Sequence, residues 1–206
     1  MAWLMAKIYD RFMAGTEEAC LGAWRSELLR SATGEVLEIG AGTGVNLPLY
    51  GAAVTRLLLT EPDAHMRARL EEKRGTRSLE ITDGAAGSLP VPDRSFDTVV
   101  GTLVLCSAAD AARALADIWR VLRPGGLYVF LEHVAAEEHS SRRRWQHRIE
   151  PVWKRLAGNC HVTRDTERAI RAAGFDVERI ERESMRKSPP WVRPTIRGIA
   201  RRPLGS

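Results

Sequence analysis

The chain has 206 residues, 44% of them hydrophobic, which suits one domain with a full core and leaves two independent domains cramped. Lys and Arg outnumber Asp and Glu by 31 to 26, a net charge of +5; much of the excess follows residue 140, but no aromatic and basic residues alternate as a base-stacking groove requires, so it reads as a solvated basic face and no nucleic acid is expected. Cys20, Cys106 and Cys160 are odd in number and far apart, which excludes a disulfide framework and a zinc site, and no metal is expected.

The opening residues are apolar, but Lys7, Asp10 and Arg11 follow at once. Neither a secretory segment nor a membrane span is predicted, and a soluble protein of the reducing cytoplasm is expected. Trp3, Leu4, Ile8, Phe12, Leu21, Trp24, Leu28 and Leu29 recur at helical spacing, broken near Gly15, and predict two helices before the first strand. Strand patterns follow at about 35 to 39, 55 to 60, 77 to 82, 97 to 104 and 127 to 132, with helical stretches between them. That alternation predicts an α/β protein with a mostly parallel sheet and helices on both faces. A helix over about 109 to 122 sets Leu115, Ile118, Trp119 and Leu122 on one face, and Pro124-Gly125-Gly126 stops it before the next strand. From Arg142 to Leu156, Trp145, Ile149, Val152, Trp153 and Leu156 recur at three- or four-residue steps: an amphipathic cover helix, which Pro151 should kink or divide. Packing on the domain, a substrate lid and a membrane-lying surface are all open to it. After a helix near 164 to 173, Phe175 to Ile180 and Thr195 to Ala200 read as two closing strands, making seven. One domain over 1–206 is expected, with lid helices at 1–30, a cofactor half at 34–135 and a substrate side at 136–206.

The most informative run is Val36 to Gly44, an apolar strand that ends in Glu38 and then in glycines at 40, 42 and 44. Glycine lets backbone approach a ligand closely and adopt positive φ without strain. A dinucleotide loop would be spaced G-x-G-x-x-G to seat a pyrophosphate; here the third glycine comes one residue early and Val45 holds the expected place. Glu38 would repel a pyrophosphate and attract an ammonium. S-adenosylmethionine carries that ammonium and no phosphate. About twenty residues on, Arg56 to Thr60 reads as a buried strand ending in Glu61, where an acid accepts hydrogen bonds from both ribose hydroxyls. The expected cofactor contacts are therefore Glu38, Gly40, Ala41, Gly42, Gly44 and Asn46 on the first turn, and Glu61 with Pro62 on the second.

Ligands of open parallel sheets bind at the carboxyl ends of the strands, which directs attention to the remaining strand ends. After strand three, Asp83, Gly84 and Ala85 are expected near the adenine; the acid precedes the glycine, and Ala85 and Ala86 cannot replace it. After strand four come Leu103 and Cys106, set beside the cofactor, Cys106 being either a buried apolar filler or part of the site. After strand five comes His133, whose unperturbed pKa of about 6.5 suits a base at neutral pH, against the alternative of a structural histidine. His161 is the second candidate base, in a segment where Thr163 or Asp165 caps the following helix. Tyr9, Phe12, Cys106, Trp145, Trp153 and Cys160 are expected to line the acceptor pocket.

The run from Val36 to Gly44 is similar to motif I of the class I methyltransferases. TLVLCS at 102–107, RVLRPGG at 120–126, EHVA at 132–135, WQ at 145–146, EPVWK at 150–154 and GNCHVTRDT at 158–166 go further. With them the chain resembles the methyltransferase-like alkyl thiol S-methyltransferases and their bacterial relatives. The likeness runs from about residue 34 onward and is most specific over 150–166. It implies a Rossmann-like class I methyltransferase fold, S-adenosylmethionine as donor, and a small, apolar thiol as acceptor. The chain departs from the animal members in lacking their long hydrophobic amino-terminal anchor, and at Ala85 to Gly87, where an acid is common. An O-, N- or C-methyltransferase of a quinone, lipid or secondary metabolite is the nearest rival, and a cofactor-binding or RNA-binding module without catalysis the rival of another class. Monomer and homodimer stay equally open.

Overall fold

The computed structural model describes residues 2–76 and 78–205, with side chains from Tyr9 onward; the side chains of Trp3, Leu4 and Ile8 lie outside the described residues. Strands β1 (Gly34–Ile39), β2 (Val54–Thr60), β3 (Glu80–Thr82), β4 (Phe96–Thr102) and β5 (Leu122–His133) are parallel, and β6 (Asp176–Ser184) and β7 (Pro194–Arg201) complete a seven-stranded sheet of order β3-β2-β1-β4-β5-β7-β6. β7 runs antiparallel to both its neighbours. Chain order reverses between β1 and β4, so the crevice at their carboxyl ends is where ligands of such sheets bind. Val36 to Ile39 are all buried, as a central strand covered on both faces requires.

Around the sheet lie α1 (Ala2–Thr16), α2 (Gly22–Leu29), α3 (Ala64–Arg74), α4 (Ala111–Val121), α5 (Ser141–Leu156) and α6 (Thr166–Ala172). Side-chain caps start four of them: Asp63, Asp110, Ser140 and Asp165 each accept the backbone N–H three residues on. Asp165, not Thr163, is thus the cap of α6. One core packs α4 and α6 on the sheet, through Leu115, Ile118, Tyr128 and Phe130; the other packs α2 and α3, through Leu28, Leu29, Leu59 and Leu70.

Four elements differ from expectation. The amino-terminal helices do not break at Gly15, which lies inside α1; a π-helical turn at Glu17–Leu21 joins α1 to α2, and one glycine's cost of about 1 kcal/mol does not end a packed helix. Between β1 and β2 the connection is a single 3-10 turn, Leu47–Leu49, because Pro48 removes a donor and Gly51 follows closely. The R-P-G-G turn is absorbed into β5: Phe96 pairs with Leu122 and Thr98 with Leu127, so residues 123–126 bulge out, with Gly125 at φ 81°. Finally, α5 carries Pro151 without dividing, and its apolar stripe is only partly used: Ile149 and Trp153 pack inward while Trp145 (59%), Val152 (53%) and Leu156 (68%) stay exposed.

Candidate active site

At the carboxyl ends of β1 and β4 a cavity of about 300 Å³ opens beneath α1. Gly40, Ala41, Gly42, Thr43 and Val45 form its floor with Thr102; Tyr9, Asp10, Met13, Glu17 and Arg25 form its roof. Gly42 has φ +58°, and a Cβ there would meet nothing within 4 Å, so the position faces open space that only glycine occupies without strain. Gly44 serves packing instead: a Cβ there would stand 2.6 Å from Leu70 Cδ1 and 2.9 Å from Leu47 Cδ1.

Behind the floor runs a buried polar chain. Glu38 accepts from Asn46 Nδ2 (2.8 Å) and from the Tyr50 hydroxyl (2.7 Å). Arg25 donates through Nη1 to Asn46 Oδ1 (3.1 Å) and to the Thr102 hydroxyl (2.6 Å), and through Nε to Glu17 (3.2 Å). Burial pushes the Glu38 carboxyl up to about 7, against its two hydrogen bonds. Glu38 does not line the cavity; it sets Asn46 and, through it, Arg25. Glu61 ends β2 with Oε2 accepting from Gly42 N–H (2.8 Å) and Oε1 from Asp63 N–H (2.9 Å). Each oxygen keeps a second lone pair for a ligand hydroxyl. Pro62, Asp83 and Ala85 are exposed, Gly84 is buried, and none lines the cavity.

α1 is fastened over this loop by Asp10, which accepts from the Thr43 hydroxyl (2.5 Å) and from Lys73 Nζ (2.6 Å). Against the cost of partial burial, those two bonds hold its carboxyl below the usual range. Tyr9 lines the roof, while Phe12 (66%) and Trp145 (59%) are exposed and do not line this cavity.

Beyond β4, Leu103 holds φ +62°, a costly conformation for a side chain of its size. The loop that follows is gripped from below: Glu132, wholly buried, accepts from the N–H groups of Val104 (3.0 Å), Leu105 (2.9 Å) and Cys106 (3.0 Å). Burial still lifts its carboxyl to about 7. From above, the segment after α5 closes on the same loop. His161 N–H donates to the Cys106 carbonyl (2.7 Å), Asn159 Nδ2 to the Ser107 carbonyl (3.1 Å), and Arg164 to the carbonyls of Leu105 and Ala108. Gln146 of α5 is buried, bonding the carbonyls of Val134 (3.1 Å) and Trp191 (2.9 Å) and the Ala136 N–H (2.7 Å).

The two histidines differ sharply. His133 is buried at the end of β5; a ring nitrogen bonds the Val192 carbonyl, Nδ1 has no partner, and burial drives its pKa down to about 4. His161 is partly open, its Nδ1 3.0 Å from Glu150 Oε1, and burial with nearby Arg164 lowers its pKa. Cys106 and Cys160 share a buried cluster with Val162 and Val192, which half-buried Leu103, Trp153 and Trp191 flank.

Comparison with known proteins identifies the frame. The methyltransferase-domain family matches residues 37–130. Thiol S-methyltransferase TMT1A of Homo sapiens is 33% identical over 198 residues, 94% of this chain and 81% of that protein. Thiol S-methyltransferase TMT1B of Rattus norvegicus is 36% identical over 190 residues, 88% of this chain and 75% of that one. The chain belongs to the S-adenosylmethionine-dependent methyltransferases. A solved methyltransferase structure from Methanosarcina mazei superposes with a TM-score of 0.67 over 82% of this chain and 92% of its own, at 20% identity, which speaks to the fold alone.

Within this methyltransferase, the residues that sequence reading singled out fall into two groups. Gly40, Ala41, Gly42 and Tyr9 meet at the cavity, with Asn46 and Glu61 directly behind its loop, whereas Cys106, Cys160 and Trp153 share the apolar cluster at the post-β4 loop, His161 bonds that loop through its N–H, and His133 stands at the end of β5. Arg25, Glu132, Gln146 and Arg164 escaped notice as single residues. The latter three lay inside motifs EHVA, WQ and GNCHVTRDT, and the short polar words in otherwise apolar text were their signal. Among the described residues no cluster of metal-ligating side chains exists, and no helix is long and apolar enough to cross a membrane.

Proposed function

We propose that this methyltransferase methylates the sulfur of a small apolar thiol with S-adenosylmethionine as donor, the cytoplasm being its place of work. The residues at the cavity fit that donor. The buried Arg25 guanidinium, with two of its three nitrogens engaged, is suited to a carboxylate; the backbone of Gly40 to Thr43 receives the methionyl chain, and the spare lone pairs of Glu61 receive ribose hydroxyls. Bound there, the donor supplies an electrophilic methyl group and a neutral thioether leaving group.

The single observation that carries the acceptor class is that the segment Gly158–Asp165, which lies within the stretch 150–166 on which the resemblance to the thiol methyltransferases chiefly rests, folds onto the post-β4 loop beside an apolar cluster of Val162, Val192, Leu103 and Trp153. An apolar wall there favours a small apolar acceptor and excludes water. A thiol of pKa about 8.5 is a few per cent thiolate at neutral pH, so only modest help with its proton is needed. His161 is the better base: Glu150 accepts a hydrogen bond from its Nδ1–H, a tautomer that leaves Nε2 as the acceptor, and the ring is reachable. His133, held neutral by burial, is too weak a base to keep a thiol proton, and its unpartnered Nδ1 serves to orient an S–H.

Incubating the protein with S-adenosylmethionine and a matched panel of thiols, phenols and amines, with mass-spectrometric detection of S-adenosylhomocysteine and products, tests the reading. Methylated thiols alone are expected; turnover of phenols or amines in their place overturns it. Replacing His161 by Ala should lower kcat most in the range above the imidazole's own lowered pKa and below that of the acceptor thiol, about 8.5, and leave cofactor affinity unchanged.

A further inference from the structure

Cys106 and Cys160 are set together by the fold from positions 54 residues apart in sequence (160 less 106). The backbone clamp between His161 N–H and the Cys106 carbonyl lies one residue from Cys160, and a second clamp, Asn159 to Ser107, lies on its other side. Both thiols are buried in one apolar cluster, Cys106 at 1% and Cys160 at 6% exposure. Two neighbouring thiols in one buried cluster are a different chemical object from an isolated buried cysteine, which behaves as a small hydrophobe: they can exchange with a disulfide in two successive steps.

We propose that Cys106 and Cys160 form a redox-active dithiol that reduces small apolar disulfides and is itself converted to an internal disulfide. Cys160 is the attacking sulfur. It is the more exposed of the two and follows Gly158 and Asn159, both left-handed at φ 57° and 66°, at the end of α5. Against the cost of burial, the Cys106 thiol beside it favours the Cys160 thiolate, aided by Arg164, whereas interaction with Cys160 and burial push the Cys106 thiol up. That asymmetry is the one a dithiol needs, with one sulfur ready to attack and the other protonated until it resolves.

The Cys160 thiolate attacks one sulfur of R–S–S–R, its S–S bond breaks, and RS⁻ leaves carrying the electron pair. Cys106 then loses its proton to that thiolate and attacks the Cys160 sulfur of the mixed disulfide; the Cys106–Cys160 bond forms and the second RS⁻ leaves, taking a proton from water. Overall two cysteine thiols and one disulfide give one internal disulfide and two small thiols, and an external dithiol returns the pair to its reduced form. The small thiols are of the acceptor class proposed above, but the exchange does not depend on that assignment. The apolar walls formed by Leu103, Trp153 and Val192 select an uncharged, compact disulfide.

The test uses the reduced full chain and 4,4′-dithiodipyridine, an uncharged aromatic disulfide, under native conditions. Release of two thiopyridone equivalents, the loss of two hydrogens from the protein mass and a Cys106–Cys160 linked peptide, all reversed by dithiothreitol, are the expected results. In C106S the reagent should stop at one equivalent, as a mixed disulfide on Cys160, and in C160S the remaining thiol should react at least tenfold more slowly. C20S, in the other core, should respond as the native chain does. Stable mixed disulfides on both cysteines of the native chain, or no linked peptide, overturn the proposal. Because the native-chain peptide map decides it, a folding defect in either variant does not. Methyl transfer to phenols or amines in the panel above would leave this result untouched.

Discussion

Arg25 ties together Glu17, Asn46 and Thr102 behind the cavity, and nothing near it in sequence says so. A guanidinium in a helix is ordinarily a solvated charge; here it is buried because its partners Asn46 and Thr102 lie 21 and 77 residues away. If it receives the donor's carboxylate, Arg25→Ala removes a charged hydrogen bond worth about 1.5–3 kcal/mol. Titration calorimetry should then show cofactor Kd rising about tenfold to a hundredfold, with the acceptor's KM little changed; an unchanged Kd would remove Arg25 from the binding surface. Lysine cannot replace it, since one ammonium cannot serve Glu17, Asn46 and Thr102 together with a ligand. Gly42 is the opposite case, legible from the sequence because its requirement is local. Its positive φ and open front belong to the turn itself, and Gly42→Ala should raise cofactor Kd by crowding the cavity while costing about 1 kcal/mol in the fold, readable by thermal denaturation. Glu132 repeats the lesson of Arg25. It stands in plain view at the end of β5, yet its partners are three N–H groups 26 to 28 residues earlier.

At the scale of elements, the alternation of apolar runs and helical periods was enough to predict seven strands and their parallel character, because a covered central strand must be apolar on both faces. What it could not supply was the content of each crossover. Pro48 and Gly51 reduce the link between β1 and β2 to a 3-10 turn, so no helix amino terminus backs the glycine turn. The loop's own N–H groups, with Glu61 bracing Gly42, take that place. Nor does periodicity say which helix closes the site. α1 does, and Asp10 is its fastening to Thr43 and Lys73. That ion pair is about 40% exposed on each side chain, so its worth to global stability is small, about 0.2–1 kcal/mol. Its effect belongs to closure. Asp10→Asn should change the melting temperature little while speeding cofactor dissociation several-fold in stopped-flow, and added salt should reproduce part of that effect in the native chain. A dissociation rate unaffected by both would mean that α1 is held by its apolar contacts alone.

For the whole molecule, Glu38, Glu132 and His133 carry the largest shifts among the carboxyl and imidazole groups, and their signs oppose, as do the smaller upward shift of Glu61 and downward shift of His161. Glu38 and Glu132 are lifted to about 7 from an unfolded value of 4.5, so between those values the folded chain holds protons that the unfolded chain has released. Their contribution is full below pH 4.5 and is lost as pH rises through 7. His133 is lowered to about 4 from 6.5, so the unfolded chain binds the extra proton between those values; its contribution is full above pH 6.5 and is lost as pH falls toward 4. Each shift corresponds to roughly 3 kcal/mol at one unit per 1.36 kcal/mol, and two acids outweigh one base. The carboxylates that ion pairs hold low, Glu27, Glu35, Glu80 and Asp97, matter only below this window. The ligand-free protein should therefore melt higher at pH 5 than at pH 8. Glu38→Gln or Glu132→Gln should flatten that decline, and His133→Gln should steepen it between pH 5 and 6.5. A melting temperature that climbs from pH 5 to 8 in the native chain would show that the two glutamates stay ionised in the fold, with donors to their oxygens outweighing burial.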